Sequence, residues 1–258
     1  MKWLIVLLSF AAALAHANPE QERKALFFGH DDRVFIPAPY AAPFNAIGVL
    51  QTEKQSECTA TLISPTTAVT AAHCFLMEGR TVDPGRWFLA GFNKGKYTAR
   101  YRVVSQIFNP RFQAGLKYKG DDVYIMPAAA PYDMAILKLE LVDGTAPQPI
   151  PAFSGNRAEL EALLKQSKFT VTQAGFAEDH DDALTAHRGC SITKLRSNNT
   201  IYHRCDTLSG DSGSPIWVET AHGPLLIGVQ SSAPDWFNRK IADNVGVTVL
   251  QMPVLPQR

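Results

Sequence analysis

The chain has 258 residues, of which 46% are hydrophobic and 19% charged, and a formal net charge of +1. That is enough apolar chain for one large or two small domains with a sizeable core. The near-zero charge, with Lys and Arg scattered and no basic stripe interleaved with aromatics, excludes a general electrostatic affinity for nucleic acid or acidic membranes.

The amino terminus, "MKWLIVLLSFAAALAHA", combines one lysine, an apolar run and small residues at Ala15 and Ala17. These are the parts of a secretory signal peptide, predicted over residues 1–17 with cleavage after Ala17. A bilayer-spanning helix needs roughly 20 apolar residues, and His16, Asn18 and Glu20 interrupt this run too early. The mature protein is therefore expected to be secreted or periplasmic, with no membrane association. Residues 18–33, "NPEQERKALFFGHDDR", read as a pro-segment or amino-terminal arm.

Export permits disulfides, and the cysteines are even in number: Cys58, Cys74, Cys190 and Cys205. Three pairings are open. The close pairs, Cys58 with Cys74 and Cys190 with Cys205, would each close a loop of about 15 residues, worth roughly 3 kcal/mol. A zinc site would need short clustered spacings such as C-x-x-C, which the sequence lacks. No metal and no cofactor is expected.

From Val34 onward the chain breaks into short runs rich in β-branched and aromatic residues: "AIGVLQT", "CTATLIS", "AVTAA", "WFLAGF", "YRVVSQIF" and "MAILKLE". Gly, Pro and Asn punctuate them, the pattern of an antiparallel sandwich or barrel. The Pro-rich stretch "GTAPQPIPAFSG", residues 144–155, marks a boundary, and "NRAELEALLKQ" after it has apolar residues at helical spacing, enough for a turn or two of helix. Strands resume with "KFTVTQAGF", "GCSITKLR", "TIYHRC", "SPIWV", "PLLIGVQSS" and "NVGVTVL". The prediction is an all-β chain in two halves, residues 34–150 and 151–258.

Three local features carry chemistry. His73 follows an apolar run and precedes Cys74, Asp133 opens an alternating strand, and Ser212 sits between Asp211 and Gly213 in a turn where glycines let backbone amides converge. Alone, each has a structural explanation. Together, "TAAHC", "DMAIL" and "GDSGSP", in that order and spacing, resemble the trypsin-like (chymotrypsin-fold) serine endopeptidases over roughly residues 34–250. "CSI" at 190 and "CDTLSGDSGSP" at 205 resemble most the bacterial branch that includes the glutamyl endopeptidases.

The resemblance implies two perpendicular six-stranded antiparallel β-barrels with the active site in the cleft between them. It implies Ser212 as nucleophile, His73 as general base, Asp133 as the group orienting the imidazole, and the amides of Gly210 and Ser212 as an oxyanion hole. Ser209 and Ser214 are then bystanders. The partner would be a peptide or protein substrate, and the rival reading is a catalytically silent binding member of the fold. Asp121 and Asp122, in a Gly/Lys-rich loop, are weaker competitors for Asp133. "EDHDD", residues 178–182, lacks the Gly and terminal Glu of a calcium loop and reads as solvated. His187 and His203 read as surface or packing residues.

The resemblance also implies a specificity pocket floored by Asp206, six residues before Ser212, with Thr207 and Ser231 as small polar walls. Asp206 would favour Lys or Arg before the cut. Gln230 stands in "IGVQSS" where the glutamyl branch carries a histidine, which removes the cation expected to hold a glutamate. Asp211 implies an activation step, because a buried carboxylate needs a counter-charge. In this family the charge is a new α-ammonium. Cleavage after Lys24 would leave "ALFFGHDDR", cleavage after Arg33 would leave Val34, and in the absence of any cut an internal side chain such as Arg33 would have to neutralise Asp211.

Overall fold

The computed structural model describes residues 19–54, 57–76, 82–120 and 122–253. The predicted signal peptide and Asp121 lie outside the described residues.

The chain enters through helix α1 (Pro19–Leu26) and the two-residue strand β1 (Val34–Phe35). It then lays down β2 (Ile47–Thr52), β3 (Glu57–Ser64), β4 (Thr67–Thr70), β5 (Gly85–Ala90) and β6 (Ala99–Phe108). A short helix α2 (Pro110–Ala114) and a hairpin of β7 (Leu116–Lys119) and β8 (Asp122–Ile125) intervene before β9 (Ala135–Gly144). Helix α3 (Arg157–Gln166) leads into β10 (Thr170–Gly175), β11 (Thr185–Leu195), β12 (Thr200–His203), β13 (Pro215–Thr220), β14 (Gly223–Ser232) and β15 (Asn244–Thr248).

These strands form two closed antiparallel barrels. The first runs β2-β3-β4-β9-β6-β5. The second runs β11-β10-β13-β14-β15-β12 and closes because β12 pairs back onto β11. Closure removes the unpaired edges that an open sheet would expose. β1 pairs with β11, Val34 opposite Ala186, so the chain from Val34 starts on the second barrel and not on the first. That corrects the boundary expected at residue 34. A two-residue strand carries no hydrophobic period from which its partner could be read.

Every strand of the two barrels contributes buried residues, whereas β1, β7 and β8 have none. β4 is buried throughout, and β9 begins buried at Ala135–Leu137 and ends exposed while still paired with β6. One apolar cluster fills the first barrel and continues into the second through Trp217, Leu226, Val229 and Val247, so the two barrels share a core. A second cluster lies inside the second barrel. Leu160 and Leu164 of α3, one helical turn apart, plug its end, each fully buried and worth about 2 kcal/mol. Asn156 caps α3 by accepting from Ala158 N and Glu159 N while Glu159 returns a bond to the Asn156 amide. Such a capping box ends the helix cleanly and contributes about 1 kcal/mol.

The disulfides are Cys58–Cys74 and Cys190–Cys205, with Cα separations of 6.2 and 4.9 Å. Each ties two elements of one barrel. Among the described residues, no helix is long and apolar enough to cross a membrane.

Candidate active site

The site forms where turns at the ends of four strands meet between the barrels. β4 ends in a 3-10 turn, Ala72–Phe75, that presents His73, and the disulfide from Cys74 to Cys58 anchors that turn to β3. A second 3-10 turn, Ala130–Tyr132, delivers Asp133 just before β9. β4 and β9 are neighbours, Thr70 opposite Ala135, so the two turns leave the same end of the sheet together. Ser212 arrives from the second barrel in the loop between β12 and β13.

His73 Nε2 lies 2.8 Å from Ser212 Oγ, and His73 Nδ1 lies 2.6 Å from Asp133 Oδ2. The His73 amide donates to Asp133 Oδ1 at 2.8 Å, and Ser231 Oγ donates to Oδ2 at 2.6 Å. A carboxylate that accepts three such bonds fixes the proton of the imidazole on Nδ1. Nε2 is left with a lone pair directed at the serine hydroxyl. Burial alone would lower the His73 pKa, but the charge and hydrogen bond of Asp133 overcome it and hold the imidazole above its usual 6.5. Burial would likewise raise Asp133, yet His73, Ser231 and the His73 amide keep it below the ordinary carboxylate value.

Peptide geometry orients the amides opposite the serine. The Ser209 carbonyl accepts from Glu178 N at 2.7 Å, and the Asp211 carbonyl accepts from Ser214 N at 2.8 Å. In a trans peptide the N–H points opposite to the C=O. The Gly210 and Ser212 amides thereby point away from these two contacts, and among the described residues neither has a protein acceptor. Gly210 has φ +89°, and a Cβ there would lie 2.5 Å from the Phe176 carbonyl. Gly213, at φ +82°, leaves no room either: its Cβ would sit 2.1 Å from Thr70 Oγ1 and 2.3 Å from the Thr59 carbonyl. Both glycines are needed to form this turn against the first barrel.

Thr59 on β3 joins the two halves of the site, and sequence reasoning did not find it. Its amide donates to the Ser212 carbonyl at 2.9 Å, its Oγ1 donates to the Gly210 carbonyl at 3.2 Å, and the same Oγ1 accepts from Phe176 N at 3.0 Å. Nothing in "CTATL" distinguishes this threonine from its neighbours.

The residues expected to line the specificity pocket all have internal partners. Ser231 Oγ donates to Asp133 Oδ2, and the residue lines the cavity beside His73. Thr207 Oγ1 donates to Asp211 Oδ2 at 3.1 Å. Gln230 Oε1 meets His203 Nε2 at 2.7 Å, and Cys205 N donates to His203 Nδ1, so His203 carries its proton on Nε2. His203 is fully buried, and burial pushes its pKa down to about 4. Asp206 is buried, with Oδ2 accepting from the Asp32 amide at 2.7 Å and lying 3.0 Å from His187 Nδ1.

Asp211 is buried and accepts from Thr207 Oγ1, the Leu208 amide and Ser214 Oγ. Burial raises its pKa to about 6. Arg33 does not bond to it. Its guanidinium is held by Asp31 and by Asp179, with Nη2 at 2.8 and 2.7 Å from their carboxylates, and it packs over the Phe27 ring at 4.3 Å. Asp179 also bonds Arg23 of α1, and His180 meets Phe35 edge-to-face with ring centroids 4.7 Å apart. The segment 178–182 therefore clasps the amino-terminal arm, a role its acidic composition did not disclose. Asp122 lies in β8 with its carboxylate toward Tyr124 Oη, away from His73.

Two closed antiparallel six-stranded β-barrels with a hydroxyl, an imidazole and a carboxylate in series at their junction define the chymotrypsin fold. The family description "Trypsin-like peptidase domain" matches residues 58–229, and the chain belongs to that family. Scolexin B of Heliothis virescens is 35% identical over 200 residues, which span 67% of this chain and 64%, just under two thirds, of that protein. A glutamyl endopeptidase solved with MPD superposes with a TM-score of 0.64 at 20% identity, covering 85% of this chain and 92% of its own. The protease Anisep from Arthrobacter nicotinovorans superposes with a TM-score of 0.55 at 14% identity, covering 83% of this chain and 93% of its own. At these identities the two structures speak to the fold alone.

Proposed function

We propose that the chain is an exported serine endopeptidase that cleaves peptide bonds of peptides or proteins through Ser212, His73 and Asp133. The observation that carries this reading is the 2.8 Å contact between His73 Nε2 and Ser212 Oγ, with the imidazole tautomer fixed from behind by Asp133. Ser212 Oγ attacks the scissile carbonyl as His73 takes its proton, and the negative oxygen of the tetrahedral intermediate is held by the Gly210 and Ser212 amides. An oxyanion-hole donor of this kind is worth roughly 10²–10³ in kcat. His73 returns the proton to the leaving amine, which leaves Ser212 acylated. Water, deprotonated by the same imidazole, then releases the second product. Export to a secreted or periplasmic location is supported by the two disulfides and by the signal-like start of the sequence.

Maturation by a cut after Lys24 is proposed over one after Arg33. Lys24 is exposed on α1, whereas the Arg33 guanidinium is enclosed by two carboxylates and an aromatic ring. Asp211, buried without a cation bonded to it, is the group a new α-ammonium would neutralise. The Gly210 and Ser212 amides have no described protein acceptor with the arm in place, which favours a cut that stabilises the oxyanion hole over one that creates it.

Hydrolysis of a casein or mixed-peptide substrate by purified protein, compared with Ser212→Ala and His73→Ala, tests the reading. Each substitution should lower kcat by roughly 10⁴–10⁶, and the double variant should be little worse than either single. Activity near wild type in Ser212→Ala would refute it.

A further inference from the structure

Asp206 lies six residues before Ser212, where a carboxylate open to substrate would select a basic side chain. It is not open. Only 3% of the residue is exposed, and Oδ2 already accepts from the Asp32 amide. His187 Nδ1, 3.0 Å from that oxygen, lies equally close to the Asp206 amide, which donates to it.

Arg239, on the loop between β14 and β15, is the fixed cation of this region. It is buried, with 6% exposure, and its guanidinium lies 4.4 Å over the ring of Phe28. Nη1 donates to Asn244 Oδ1 at 2.5 Å, and Asn244 Nδ2 donates at 2.7 Å to the carbonyl of Cys205, the residue bonded to Asp206. One side chain thus separates the guanidinium from the Asp206 backbone. Nε and Nη2, the edge that matches a carboxylate, are buried without a partner. Asp243, the other acid whose field reaches Arg239, is engaged by Arg204 Nε at 3.0 Å and Thr193 Oγ1 at 2.7 Å. Asp206 and Arg239 are therefore opposite charges, both buried and linked through Asn244 and the Cys205 carbonyl, and the charge of Asp206 acts on the guanidinium.

We propose that Arg239 is a specificity-determining residue, whose buried guanidinium cancels the charge of Asp206 so that the peptidase does not select Lys or Arg before the cut. The two opposite charges sum to zero where a lone carboxylate would leave one negative charge. A basic substrate side chain then gains no unpaired carboxylate to offset its own desolvation. The inference rests on the reading of Ser212 as nucleophile.

The test uses enzyme calibrated by active-site titration and matched peptides differing only in the residue before the cut: Arg, Gln, Leu or Glu. Wild type should give a kcat/KM for Arg less than about tenfold above that for Gln. Arg239→Gln, which removes the charge, should raise that ratio by about tenfold or more, and Asp206→Asn added to it should abolish the gain. The proposal is overturned if wild type prefers Arg by more than about tenfold and loses the preference in Asp206→Asn. It is overturned equally if folded Arg239→Gln leaves the ratio unmoved, or if a preference for Glu vanishes in that variant, since the guanidinium would then hold substrate. If Arg239→Gln does not fold, the wild-type ratios and their response to Asp206→Asn decide. A protein that titrates no active serine fails the peptidase reading, not this one.

Discussion

Ser231 Oγ donates to Asp133 Oδ2 at 2.6 Å, the same oxygen that holds His73 Nδ1. A hydroxyl from the second barrel therefore helps to aim a carboxylate of the first. Ser231→Ala should lower kcat by roughly tenfold with little change in KM, the loss of one hydrogen bond to a charged group. Ser231→Thr, which keeps the hydroxyl, should recover most of it. Steady-state kinetics on one peptide checks both.

The pH dependence should report His73. The imidazole must be unprotonated to act, and Asp133 holds its pKa above 6.5, so kcat/KM should fall on acidification with a midpoint above 6.5. Asp133→Asn removes the charge that raises it. The midpoint should move down, and kcat should fall by about 10⁴ because the tautomer is no longer fixed. A pH–rate profile of the two proteins is the measurement.

Thr59 holds the Gly210 carbonyl and the Phe176 amide through one hydroxyl. Thr59→Val fits the space but orphans a buried amide, which costs about 1–3 kcal/mol. It also loosens the peptide that carries the oxyanion donors. Expected are a lower Tm and a kcat reduced by about tenfold or more, with KM nearly unchanged. Thr59→Ser should restore both.

Two buried groups give opposite pH dependences of stability. Asp211, raised from 3.8 to about 6, binds protons more tightly when folded, so its contribution falls as pH rises from 3.8 to 6. His203, lowered from 6.5 to about 4, binds them less tightly, so its contribution is intact above 6.5 and is lost as pH falls to 4. In an inactive Ser212→Ala background that retains residues 19–33, Asp211→Asn should gain more stability over its parent at pH 7 than at pH 4, roughly. His203→Gln should lose more at pH 7 than at pH 4, roughly. Urea denaturation at both pH values measures the four differences.

What was legible in the sequence was local. His73, Asp133 and Ser212 each sit in a turn whose neighbours, Cys74, Met134 and Gly213, form a recognisable string, and the barrel strands announce themselves by burying apolar residues. Residues that act across the fold left no such mark. Thr59 meets Gly210 across 151 positions of chain, and Ser231 meets Asp133 across 98. Their partners are set by barrel register, and Ser231 was accordingly expected in the pocket. Arg239 stands in the loop between β14 and β15, where only the packing of Phe28 and Asn244 reveals its burial. The β7–β8 hairpin read as a Gly/Lys-rich loop because no residue of either strand is fully buried, so no hydrophobic period appears. Helix α3 extends to 10 residues, longer than the turn or two expected, because Leu160 and Leu164 are drawn into the second core.

The central claim is that Ser212, and neither Ser209 nor Ser214, is activated by His73. Labelling the protein with a fluorophosphonate and mapping the adduct by peptide mass spectrometry tests it most directly. The expected result is a single adduct on Ser212, formed rapidly in wild type and lost in His73→Ala. An adduct on Ser209 or Ser214, or labelling of Ser212 at the same rate without His73, would contradict the account.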